Sequence, residues 1–140
     1  MFQYINLYKK DRMYALAFII AGGLIYLLYR PQNLLLFRIT DYMGLNPYID
    51  SLRDDASNLL LPSIIINSVP AGLWTASYLI MMYSCTKFYN RKTRLLLSLP
   101  LPISAIILEF MQLFGLCPGT FDIYDLVCYI IPLILFIKSI

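Results

Sequence analysis

Three carboxylates stand where the hydropathy of this chain calls for lipid. Glu109, Asp122 and Asp125 fall within LEFMQLFGLCPGTFDIYDLVCY, the stretch from Leu108 to Tyr129. A carboxylate in a bilayer core costs several kcal/mol, so such groups face other protein, water or a ligand. Glu109 and Gln112 are three residues apart and share one helix face. Asp122, Asp125 and Tyr129 follow i, i+3, i+7 spacing and share another. Side chains of these types accept hydrogen bonds from, or pair in charge with, a polar or cationic group. A carboxylate pair such as Glu109 and Asp125 is also the minimum equipment for acid/base chemistry.

Each residue has a plainer reading. Asp122 suits the N-cap of the last helix, with Asp125 in its first turn facing the helix dipole. Asn67 serves as interhelical glue as readily as a ligand contact. Trp74 reads as a packing residue or part of an inner aromatic belt. Glu109 resists such a reading: fourteen uncharged residues precede it, and the apolar stretches on either side of the turn carry no Lys or Arg. It must be protonated, bonded to Gln112, Asn67 or the backbone, or met by Arg30, Arg38 or Arg53 from outside.

The composition narrows the chemistry. Hydrophobic residues make up 60% of the 140-residue chain and charged residues 14%, with mean hydropathy +0.70. Soluble domains are nearer a quarter charged, so an integral membrane protein of one domain is expected. The chain has no histidine, which excludes a His-dependent triad. Its three cysteines, Cys85, Cys117 and Cys128, form no CxxC pair and indicate neither a zinc site nor a disulfide framework. No cofactor or metal is called for, and no nucleic-acid partner. The basic run Lys87 to Arg94 reads as topology and lipid-headgroup charge.

The fold expected to carry these residues is all-α. Four transmembrane helices are predicted over 13–29, 59–84, 95–116 and 122–138, with an amphipathic extracytoplasmic segment over 31–58 between the first and second. The run after Lys9, Lys10 and Arg12 is of spanning length and lacks a small-x-small cleavage site, so it reads as a retained helix. Gly22-Gly23 marks a close-packing point on it. Leu45, Ile49 and Leu52 recur at helical spacing, with Asn46-Pro47 as a break or helix start. Lys9, Lys10 and Arg12, the Lys87 to Arg94 run, and Lys138 all fall on one side, so both termini are predicted to be cytoplasmic. Glu109, Gln112, Asp122, Asp125 and Asn67 then converge on the outer half of the membrane.

The same residues carry a family resemblance. Glu109-x-x-Gln112, a short turn, then Phe121-Asp122-x-x-Asp125 resembles the C-terminal signature of VanZ-like membrane proteins, and Asn67 to Trp74 looks like that family's "N-x-x-P" entry to the second span. The chain departs from the pattern in three places. Cys117 to Thr120 lacks the turn arginine, Tyr129 stands where asparagine is expected, and Pro132 lies near the expected glycine. The family takes its name from a teicoplanin-resistance determinant. The resemblance therefore implies a non-catalytic envelope protein of the bacterial cytoplasmic membrane, binding a lipid, an envelope precursor or a lipophilic glycopeptide through Glu109, Gln112, Asp122, Asp125 and Asn67. Two other classes stay open. One is an accessory or immunity-type subunit of a larger membrane-protein complex. The other is an intramembrane lipid-modifying enzyme, for which the chain offers no activated nucleophile, metal cluster or phosphate-cradling glycine loop.

Overall fold

The computed structural model describes the backbone of residues 2–140 and the side chains from Lys10 onward. The described residues are entirely helical in their regular structure. Helix α1 (Phe2–Tyr29) runs 28 residues, about 42 Å at 1.5 Å per residue. The basic residues expected to precede the first span are therefore inside the helix. A charged first turn or two costs nothing where the helix projects beyond lipid, and continuous hydrogen bonding favours carrying it on.

The segment over 31–58, expected to be amphipathic, folds as two short helices, α2 (Leu35–Tyr42) and α3 (Asn46–Ala56). Gly44, at φ +69°, turns the chain between them while Leu45 N–H donates to Thr40 O at 2.9 Å. Asn46-Pro47 is a helix start, since proline lacks the N–H that the first turn leaves unpaired anyway. Phe37 is the buried anchor of α2, with the Arg53 guanidinium 5.4 Å from its ring centre. Arg53 Nη1 also donates to Leu27 O at 2.6 Å. These contacts tie α3 to the end of α1.

The next apolar run is shorter and more broken than expected over 59–84. Helix starts only at Ser63, as α4 (Ser63–Asn67), and resumes as α5 (Val69–Cys85). Pro70 supplies no N–H and its ring crowds the carbonyl one turn back, so the helix breaks at Ser68. The expected span over 95–116 is likewise two pieces, α6 (Arg91–Ser98) and α7 (Pro100–Leu113), bent by 45°. Asn90 caps α6 by accepting from Thr93 N–H at 2.9 Å. Pro100 and Pro102 enforce the bend. Gly115, at φ +68°, ends α7 as Leu116 N–H donates to Met111 O. Helix α8 (Ile123–Ser139) then follows the expected 122–138 to within a residue.

Helix α5 is central: α1 packs on one side and α8 on the other, with α7 against α8. The segment Lys10–Tyr29 is long and apolar enough to cross a membrane, and the bent α6–α7 pair is a second such unit if taken together. Helices α5 and α8 have 17 residues each, about 25 Å. Leu24, Ile107, Ile131 and Leu135 are half exposed or more, whereas Thr75, Ser77, Ser84 and Ser98 are buried. Ser77 Oγ donates to Ala15 O across the α1–α5 contact at 2.7 Å.

Glycines set how closely the helices approach. A methyl on Gly22 would lie 2.7 Å from Trp74 Nε1, so Trp74 seats in a notch of α1, its ring 5.4 Å from that of Tyr26. Gly23 has open space around it, so only the first glycine of the pair is a packing point. Gly72 faces α8, where a methyl would meet Cys128 Cβ at 2.9 Å and Cys128 O at 3.1 Å. Backbone cannot yield as a side chain can. Gly72→Ala is therefore expected to lower stability by about 1–3 kcal/mol through overpacking. Gly23→Ala should instead hold or raise it by about 0.5–1 kcal/mol through helix propensity. Denaturant titration of the purified protein in mixed micelles compares the two.

Candidate functional site

Glu109 is 6% exposed and sits one turn before the end of α7. Its Oε2 accepts from the backbone N–H of Asp122, at a long 3.5 Å. The contact exists because the turn from Phe114 to Phe121 folds α8 back against α7, bringing the start of one beside the end of the other. Asp122 is the N-cap of α8, its Oδ1 accepting from Tyr124 N–H at 2.8 Å. The capping reading of Asp122 therefore holds, and Asp122 still meets Glu109 through its main chain.

Asp125 lies in the first turn of α8, and its Oδ1 is buried without a hydrogen-bond partner. The charges of Asp122 and Asp125 both act on Glu109, and those of Glu109, Asp125 and Arg30 all act on Tyr129. Glu109, Asp122, Asp125 and Tyr129 thus form one neighbourhood. An acidic centre with a buried, uncommitted carboxylate oxygen attracts a hydrogen-bond donor or a cation.

Gln112 and Asn67 are placed differently. Gln112 folds over the turn, where a methyl on Gly119 would come within 2.7 Å of its Cδ. Gly119, at φ +132°, is thus a close approach as well as a turn. Asn67 is engaged by Arg30: Nη1 donates to its Oδ1 at 3.2 Å and Nη2 to its main-chain O at 3.1 Å. Arg30 also lies 5.6 Å from the Tyr26 ring centre. Of the arginines expected to reach toward Glu109, Arg30 acts on Tyr129 of the same neighbourhood, while its hydrogen bonds go to Asn67. Arg53 is committed to Leu27 and Phe37, and Arg38 is exposed. Trp74 packs on α1, in line with its plainer reading.

A cavity of about 290 Å³ lies at the other end of the bundle, between α1, α5 and α8. Its walls are almost wholly apolar, with Phe18, Leu79, Pro132 and Phe136 among them and Asp11 and Tyr83 toward one end. No motif or spacing in the sequence signals it. It arises where α5 and α8 run side by side in the same direction, and Pro132 inside α8 is the one local signal of irregularity there. Among the described residues no group of acids and cysteines is arranged to hold a metal ion. No family model, curated protein or solved structure matches the chain.

Proposed function

We propose that this chain is a four-span, VanZ-like protein of a bacterial cytoplasmic membrane, with both termini cytoplasmic. Its Glu109–Asp122–Asp125 centre, in the outer half of the membrane, binds the cationic or hydrogen-bond-donating head of an envelope lipid, an envelope precursor or a lipophilic glycopeptide. The observation that carries the reading is the buried Glu109 carboxylate beside the start of α8, with Asp125 Oδ1 buried and unpartnered one turn on. Charge buried without a counter-ion is expensive and marks function more often than stability.

The wider fold supports the membrane part of the proposal. Apolar side chains point outward while small hydroxyls pack between helices, the arrangement that suits helices associating in lipid. Lys10, Arg12, Arg91, Lys92 and Lys138 gather at the end of the bundle where α1 and α6 start and α8 finishes. The acid centre is at the other end. The excess of Lys and Arg at the first end, over Arg30, Arg38 and Arg53 at the other, supports a cytoplasmic placement of the first.

The free cysteines test this topology directly. Cys85 is exposed at the end of α5, and Cys117 lies in the turn between α7 and α8. A membrane-impermeant maleimide should label Cys117 in intact spheroplasts and Cys85 only after lysis, with Cys85→Ser and Cys117→Ser assigning each signal. Labelling in the reverse order refutes the orientation. Binding is tested by expressing the chain in a teicoplanin-susceptible bacterium and measuring inhibitory concentration, alongside lipid that co-purifies with the protein. An unchanged susceptibility together with no retained lipid or precursor overturns the functional reading.

A further inference from the structure

The cytoplasmic end of the bundle carries a second, separate set of uncommitted groups. Arg94, on α6, lies with its guanidinium carbon 4.7 Å from the centre of the Tyr83 ring. Its Nε and Nη2 are buried and have no hydrogen-bond partner. Those two nitrogens form one edge of the guanidinium, the fork that matches two oxygens of a phosphate or carboxylate. Ser98, one turn further along α6, is fully buried and its Oγ is likewise unpartnered. Buried donors are normally satisfied, so a buried fork with no acceptor in the protein is one that an anion would satisfy.

Tyr83 links this edge to the apolar cavity, since it forms part of the cavity wall. Asp11 lines the same cavity, its Oδ2 accepting from Ser84 Oγ at 2.8 Å. The cavity, at about 290 Å³, is near the lower bound of small-molecule sites, ~300 Å³. Away from Asp11 and Tyr83 it is lined by Phe18, Leu79, Leu135 and Phe136, which suit a hydrocarbon chain. An anion-binding fork, a carboxylate and a hydrocarbon slot therefore occur together at one end of the molecule. A zwitterionic lipid with a phosphate, a primary amine and an acyl chain matches all three.

We propose that the cleft between α1, α5 and α8 holds an aminophospholipid of the cytoplasmic leaflet, its acyl chain in the apolar cavity, its phosphate on the Nε–Nη2 edge of Arg94 and its amine at Asp11. The site shares with the function proposed above only the insertion in the membrane and its orientation. It uses none of Glu109, Asp122 or Asp125, so either can fail alone. No covalent step is involved. The lipid fills the cleft beside Pro132 and joins the start of α6 to α1 and α5.

The test uses the full chain, delipidated in detergent and returned to nanodiscs of dioleoyl-phosphatidylcholine. These are doped with dioleoyl-phosphatidylethanolamine or dioleoyl-phosphatidylglycerol, and bound lipid is counted by native mass spectrometry. Retention of phosphatidylethanolamine in preference to the other two is expected. Arg94→Gln should weaken it by at least about tenfold, the worth of one charge-assisted hydrogen bond. Asp11→Asn should remove the preference for phosphatidylethanolamine over phosphatidylglycerol while leaving phosphate binding. Ala76→Phe, which fills the cavity without touching either head-binding residue, should expel the lipid; Ala76→Ser, a small change at the same wall, should retain it and controls for folding. Equal retention of all three lipids by the unaltered chain, or tight binding that survives both Arg94→Gln and Ala76→Phe, overturns the proposal.

Discussion

Glu109→Ala is expected to weaken binding of the proposed ligand about ten- to a hundredfold while the protein still inserts and folds. The side chain is 94% buried by its 6% exposure, and its one hydrogen bond is the long contact from Asp122 N–H. Losing that bond costs little, because 3.5 Å is at the limit of useful geometry. Removing a buried carboxylate that lies near two others relieves desolvation and repulsion. Stability in micelles should therefore stay level or rise. Binding, in contrast, loses the charge-assisted contact, about 1.5–3 kcal/mol or ten- to a hundredfold in affinity. Glu109→Gln keeps an acceptor for Asp122 N–H and drops the charge. It should bind like Glu109→Ala if the ligand is a cation and like the unaltered protein if the ligand is a neutral donor. Susceptibility to teicoplanin and retention of envelope lipids are the two readouts. A loss of stability with binding intact would make Glu109 interhelical glue, and the functional proposal would fall.

What made this site readable was chemistry set against hydropathy. An acid within an uncharged run is visible without a structure, and so is i, i+3, i+7 spacing from Asp122 to Tyr129. The all-helical class, the capping role of Asp122 and the bounds of the last helix also followed from apolar run lengths and start residues, whereas the described residues divide into eight helices where four spans and one amphipathic segment were expected. Breaks were harder to see. Hydropathy is blind to Pro70 and Pro100, because both sit in apolar runs, yet each interrupts a helix expected to be continuous. The start of α1 at Phe2 was hidden for the opposite reason, since Lys9, Lys10 and Arg12 are good helix formers that hydropathy treats as a boundary. Partner choice was the least legible. Asn67 was expected to support a ligand site, and no spacing rule could reveal that Arg30, 37 residues away in sequence, takes both its side-chain and main-chain oxygens. The cavity and Arg94 depend on how three helices meet, which a linear pattern does not encode.

That arginine carries the other large effect. Arg30 follows the last residue of α1, and its N–H donates to Tyr26 O, so its charge lies at the negative end of the helix dipole. Its two hydrogen bonds to Asn67 join α1 to the break between α4 and α5, while the Tyr26 ring supports the guanidinium. Arg30→Ala removes all of these and leaves the Asn67 carbonyl without that donor. The cost should be about 2–3 kcal/mol, allowing for partial replacement by water at the membrane surface. Arg30→Lys should recover under half, because an ammonium cannot span side-chain and main-chain oxygens as a planar fork does. Asn67→Ala removes the Oδ1 contact alone and should cost about 1 kcal/mol, a typical single hydrogen bond. The double variant then separates the pair from its surroundings. Once Arg30 is gone, Asn67→Ala should be nearly silent, with a coupling of about 1 kcal/mol between the two positions. Reversible denaturation in mixed micelles measures all four proteins. If Arg30→Ala changes stability by under about 0.5 kcal/mol, the level of an ordinary surface substitution, the staple is not what holds α1 to α4, and Arg30 is free to serve as the cation opposite the acids.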